Sequence, residues 1–132
     1  MFDVNLVAVL VAAIANFIIG FMFHGPLFGK TWMRLANVTP TGNEKLSDMY
    51  GQMFWNLVSN FVAAYVLAAV YMMTGEGVAH GLIIAFWLWL GFIVTSSSAE
   101  VIWMKRSAKL WIFEMTSSLV AMLAMGAIIA AW

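Results

Sequence analysis

His24-Gly25-Pro26-Leu27-Phe28-Gly29-Lys30-Thr31-Trp32-Met33-Arg34 is the stretch where this chain first meets water. The run before it, Val4 to Phe23, carries no charge, and Lys30 and Arg34 are the first cations of the sequence. A proline, two glycines, two cations and a tryptophan within eleven residues stop an apolar helix and turn the chain along an interface. At about 1.5 Å per residue the preceding run crosses a hydrocarbon core of about 30 Å. Only Asn5 and Asn16 interrupt it. Ala13-Ile14-Ala15 has the look of a cleavage box, but Met1-Phe2-Asp3 is acidic and the apolar run continues past it, so the segment is expected to be a permanent helix.

Composition agrees. The 132 residues are 64% hydrophobic and 9% charged, with a mean hydropathy of +0.95, against about 45–50% and about 25% for soluble chains. So few charges cannot solvate a surface in water, and the expected solvent is lipid. Net charge is zero, which removes a basic patch for nucleic acid. The absence of cysteine excludes disulfides, thiolate nucleophiles, iron–sulfur clusters and covalent c-type haem.

Working outward, residues 27–37 place Lys30, Arg34 and Asn37 on one helical face and Phe28, Trp32 and Leu35 on the other, the pattern of a short helix in the headgroup plane. Thr39-Pro40-Thr41-Gly42 is a turn, and Thr41 with Glu44 reads as a capping box for the next helix. Gly75-Glu76-Gly77 is a tight connection. The expected membrane spans are residues 4–24, 52–74, 78–104 and 110–132, forming one transmembrane domain over 1–132. The fold class is all-α, an integral membrane four-helix bundle with a short interfacial helix between spans one and two.

Cations set the expected orientation. Lys30, Arg34 and Lys45 lie in the first connection and Lys105, Arg106 and Lys109 in the third, while the second connection and both termini carry none. By the positive-inside rule those two connections are cytoplasmic and both termini face outward. Trp32, Trp103 and Trp111 beside the cations read as an aromatic belt. Pro26, Gly29, Lys30, Trp32, Arg34, Lys105, Arg106 and Lys109 are thus the candidate interfacial anchors.

With depth counted inward from the basic ends, polar groups fall at matching levels. Gly20, Asn56, Glu100 and Glu114 lie about four residues in, and Asn16, Asn60, Ser96 and Ser118 about eight; His24 and Gln52 sit at the mouth. Spacing at i, i+4 puts each set on one helix face. The outer half instead offers small residues, Ala8 and Ala12, Ala64 and Ala68, Gly77-Gly81-Ala85, and Gly126 with Ala130, which suit close helix packing.

Glu100 and Glu114 are the expensive members, since an acidic residue at a helix centre costs about 2.5–3.5 kcal/mol on insertion scales and less near an interface. They are spaced equally about Ser107, so a hairpin brings them level. They read either as a proton- or cation-binding site, sharing a proton, or as a clasp onto Lys105, Arg106 or Lys109. Asn16, Asn56 and Asn60 read as interhelical glue, each worth about 1 kcal/mol, before they read as ligands. Ser96-Ser97-Ser98 either line a cavity or satisfy their own helix. His24 and His80 fall at opposite faces and cannot share a metal, which leaves His24 a headgroup or capping residue. The eleven methionines are scattered, as packing residues are. Gly29-Lys30-Thr31 nearly completes a phosphate loop, but His24 stands at its first position and a membrane helix precedes it, so it is no nucleotide site.

Pro26-Leu27-Phe28-Gly29-Lys30-Thr31-Trp32-Met33, with Trp89-Leu90-Gly91-Phe92 and the closing Met125-Gly126-Ala127-Ile128-Ile129-Ala130-Ala131-Trp132, resembles the domain of unknown function family numbered 1761. The resemblance covers essentially the whole chain. It implies a small bacterial multi-pass membrane protein and no assigned activity. Where the family carries an aromatic pair before the proline, this chain has Phe23-His24-Gly25, so no role for His24 follows from it.

Two functions compete. The first is a non-enzymatic protein working by association, either as a homo-oligomer or as an accessory subunit of a larger membrane complex; the small-residue stripes support it. The second is a small transporter or channel for protons, ions or a small solute, through Asn16, Asn60, Ser96, Glu100 and Glu114. The expected partners are the lipid bilayer and fellow membrane chains, with no nucleic acid, no metal and no cofactor.

Overall fold

The computed structural model describes residues 3–39 and 46–132, and no strand occurs among them. The expected capping box of Thr41 and Glu44, the turn at Pro40, and Lys45 lie outside the described residues. Helix α1 spans Leu6–His24. Asn5, an interruption in the sequence pattern, caps it: its side chain accepts from the amides of Val7 and Ala8 at 3.1 and 3.2 Å. The helix ends where expected, because a Cβ at Gly25 would lie 2.8 Å from the Phe21 carbonyl oxygen. The turn closes through Leu27 N–H on the Met22 carbonyl at 3.0 Å and Gly29 N–H on Gly25 at 2.8 Å.

Helix α2 covers Gly29–Ala36 and stops on Asn37, whose φ of 58° is the left-handed cap that asparagine tolerates. Helix α3 covers Tyr50–Thr74 after a 3₁₀ turn at Leu46–Met49. The third span is not one regular helix. Helix α4 (Val78–Leu88) passes through a π-helical segment, Trp89–Val94, into helix α5 (Thr95–Ile102). Helix α6 covers Ala108–Ala131 and is capped by Ser107, whose hydroxyl accepts from Leu110 N–H at 3.3 Å. Four helical stretches, Leu6–His24, Ser47–Thr74, Val78–Ile102 and Ala108–Ala131, are long and apolar enough to cross a membrane.

Helix α6 lies between α1 and α4, and α3 packs on the far side of α1, touching α4 and α6 only briefly. The buried residues of α1 are Ala8, Val9, Ala12 and Ala13, and those of α3 are Ala64, Leu67, Ala68 and Ala69. Both sets lie toward the end of the bundle that holds the chain termini. There all but Ala8 and Ala69 join Ala85, Met122, Met125 and Ile129 in one core. In lipid no hydrophobic force pulls helices together, so contact has to come from van der Waals fit, and small side chains allow the closest approach. The expected stripes do this within the chain, except at Gly77, which is exposed and precedes α4 because the turn there takes it out of the helix. At the opposite, basic end, most of residues 50–59 and 102–109 are exposed. The bundle is closed at one end and splayed at the other.

Candidate functional site

The splay opens a cleft of about 570 Å³ between α1 and α3, backed by α6. Asn16, Gly20 and His24 line it from α1, Gln52, Asn56 and Asn60 from α3, and Glu114 from α6. The i, i+4 spacing read from the sequence is what turns these residues to one side of each helix. Phe17 and Phe21 sit one position further along α1 and line it too, with Met49 and Met53 opposite. The sequence reading missed these four, although adjacency to Asn16 and Gly20 was a usable signal. At the inner end Asn16 Nδ2 donates to Asn60 Oδ1 at 3.1 Å, and Asn60 Nδ2 donates to Asn56 Oδ1 at 3.1 Å. This carboxamide chain ties α1 to α3 just below the alanine core.

At the mouth, Glu114 is held from two helices. His24 Nε2 lies 3.0 and 2.9 Å from its two oxygens, and Trp32 Nε1 donates to Oε1 at 3.1 Å. His24 Nδ1 meets the Gly20 carbonyl at 2.8 Å. The side chains of His24 and Glu114 remain 31% and 33% exposed, which leaves both in reach of the cleft. Phe113 closes edge-on against His24 at 5.6 Å, and Phe23 and Phe28 pack beside it. The stretch from His24 to Arg34 is therefore docked on α6 through His24 and Trp32. Lys30 and Arg34 stay exposed. Trp32, read as a depth anchor, also points its N–H at a carboxylate, and His24, besides bonding the Gly20 carbonyl near the end of α1, reaches the same carboxylate.

The other candidates separate from the cleft. Glu100 is paired with Arg106 at 2.7 Å, the clasp arrangement; Lys105, at φ 54°, makes the turn that also lets Arg106 N–H reach the Glu100 carbonyl at 3.1 Å. Glu100 and Glu114 do line one small cavity of about 30 Å³, with Arg106, Ser107 and Trp111, so they are near one another. Each nonetheless has its own partner.

The serines of α5 bond back to their own helix: Ser96 to the Phe92 carbonyl, and Ser97 and Ser98 to Ile93 and Thr95 at 2.6 Å each. Ser97 additionally accepts from Trp111 Nε1 at 2.9 Å, and Ser118 accepts from Trp89 Nε1 at 2.9 Å. These indole–hydroxyl pairs fasten the π segment and α5 to α6. Pro26 lies in the α1–α2 turn, Gly29 opens α2 and is buried, and Lys109 is exposed at the start of α6. Among the described residues no three histidine, cysteine or acidic side chains converge as a metal site.

A membrane bundle closed at one end, with a one-sided polar cleft at the other, defines a multi-pass α-helical membrane protein. The chain belongs to the protein of unknown function family DUF1761, whose model matches residues 7–130. No curated protein and no solved structure matches it.

Proposed function

We propose that this is a non-enzymatic carrier of the bacterial inner membrane, with both termini outside, that takes a small solute into the cleft from the cytoplasmic side. The observation that carries the reading is the cleft itself, about 570 Å³ and reaching the Asn16–Asn60 hydrogen bond at mid-bundle. An open inner half beneath a closed outer half is the shape expected of one state of an alternating-access cycle.

Association with further copies or a larger complex, the first expectation from the sequence, drew part of its support from the small-residue stripes. Ala8, Ala12, Ala64 and Ala85 are at most 2% exposed within one chain, so they are not free to pack a second one.

The cysteine-free sequence makes the test direct. In inside-out vesicles, Asn60→Cys should react with a charged, membrane-impermeant methanethiosulfonate, whereas Ala64→Cys, one turn further out, should stay unreactive. An inert Asn60→Cys would mean that no aqueous cleft exists and would end the carrier reading.

A further inference from the structure

Glu114 lines both the large cleft and the small cavity beside Glu100 and Arg106, so it stands between the two spaces. Its hydrogen bonds define a proton count. A carbonyl oxygen only accepts, so the 2.8 Å contact to Gly20 places a hydrogen on His24 Nδ1. The contacts of 2.9 and 3.0 Å between Nε2 and the carboxyl group then require one more proton between them. Written as imidazolium–carboxylate or as imidazole–carboxylic acid, the pair holds one exchangeable proton and no net charge.

Among the described residues, no further charged side chain lines the cleft with this pair. Helix α3 presents the neutral Gln52, Met53, Asn56 and Asn60 to the cleft. Helix α2 offers the uncharged Trp32, with Lys30 and Arg34 exposed, and the loop before α6 offers Arg106, already paired with Glu100 at 2.7 Å. Among the described residues, Glu114 is the one acidic group lining the cleft, and His24 the one basic group.

We propose that the cleft takes a monovalent organic cation against Glu114 in exchange for that proton. The inference rests on the reading of the cleft as a solute site. The exchange balances: the cation pairs with the Glu114 carboxylate, His24 becomes neutral with its hydrogen kept on Nδ1, and one proton leaves. The charge that enters equals the charge that departs, so the site stays neutral inside the bilayer, where an uncompensated charge is costly. The small cavity, at about 30 Å³, has room for about two waters on the way to the Glu100–Arg106 pair. A bare metal ion would need several oxygen ligands to replace its hydration shell. An organic cation instead brings apolar surface, and Phe17, Phe21, Met49 and Met53 match it. An anion would have to approach His24 against the Glu114 charge.

The test uses the full chain in mild detergent, weakly buffered with a pH-indicating dye, and two probe cations, tetraphenylphosphonium and benzyltrimethylammonium. About one proton should be released per cation bound, and the dissociation constant should rise about tenfold for each unit the pH is lowered. Glu114→Gln should abolish both binding and release, and Asn60→Cys reactivity in the same variant reports whether the cleft is still formed. If that variant collapses, the stoichiometry of the unmodified chain decides. Binding without proton release, release that survives Glu114→Gln in an intact cleft, or no binding of either probe would each overturn the exchange. A reactive Asn60→Cys alongside any of these leaves the cleft reading standing; an inert one removes both.

Discussion

Gly81 and Gly126 meet backbone to backbone: a Cβ placed on either would stand 2.5 Å from the other's carbonyl oxygen. The same added atom would lie 2.7 Å from the Ala130 Cβ or 2.9 Å from that of Ala85, so nothing flexible is there to yield. This crossing joins α4 to α6 and closes the terminal end of the bundle. Gly81→Ala or Gly126→Ala should destabilise the protein by about 1–3 kcal/mol, the usual cost of overpacking. Gly51→Ala meets nothing within 4 Å and should be neutral or gain up to about 1 kcal/mol of helix propensity. Thermal unfolding in mild detergent compares the three, and equal effects would mean the crossing is looser than this.

The second helix depends on one indole for its docking. Trp32→Phe keeps a ring against His24 but removes the 3.1 Å bond to Glu114. With the carboxylate a third exposed, the loss should be about 1 kcal/mol, roughly a fivefold fall in local protection. Hydrogen exchange should show it over Gly29–Ala36 and leave Ala121–Ile129 unchanged. Unchanged exchange in α2 would show that Phe28 and its aromatic neighbours hold the helix alone.

Adjacent serines should behave differently. Ser97 accepts from Trp111 as well as bonding its own helix, whereas Ser96 bonds only the backbone carbonyls of Phe92 and Ile93. Ser97→Ala should cost about 1 kcal/mol, typical of an interhelical hydrogen bond in a membrane protein, and Ser96→Ala should fall within about 0.5 kcal/mol of neutral. Equilibrium unfolding of the pair gives the difference directly, and the reverse order would contradict the indole–hydroxyl pairing.

The two acidic residues should separate as well. Arg106→Ala removes a partner of Glu100 that is 46% exposed, so its cost should be about 0–1 kcal/mol and should shrink with salt. It should leave cytoplasmic-side labelling of Asn60→Cys intact, because the Glu100–Arg106 pair does not line the cleft. Loss of that labelling would tie the clasp to the cleft.

Much of this was legible in the chain. The long apolar runs and the breaks at Gly25-Pro26 and Gly75-Glu76-Gly77 were enough for four spans, because a bilayer demands length and apolarity above all. The small-residue stripes were legible as buried faces for a similar reason: i, i+4 spacing is preserved whatever the helix packs against. Depth along the helices was also readable, and it placed Asn16, Asn60 and Glu114 at workable levels.

Which helix neighbours which was not readable. His24 and Glu114 lie 90 residues apart, and only the placement of α6 between α1 and α4 brings them together. Glu100 and Glu114, level by count, still took separate partners. The π segment at Trp89–Val94 contributes to this: its i→i+5 turn inserts an extra residue and rotates everything after it relative to Gly81 and Ala85. Periodicity counted through an assumed regular helix cannot register that rotation. Sequence alone determined how many helices are long and apolar enough to cross a membrane, and most of the faces that pack. Tertiary structure decided that the stretch from His24 to Trp32 docks on a carboxylate of the last helix, because a side chain's partner depends on the azimuth and order of helices, which neither hydropathy nor spacing encodes.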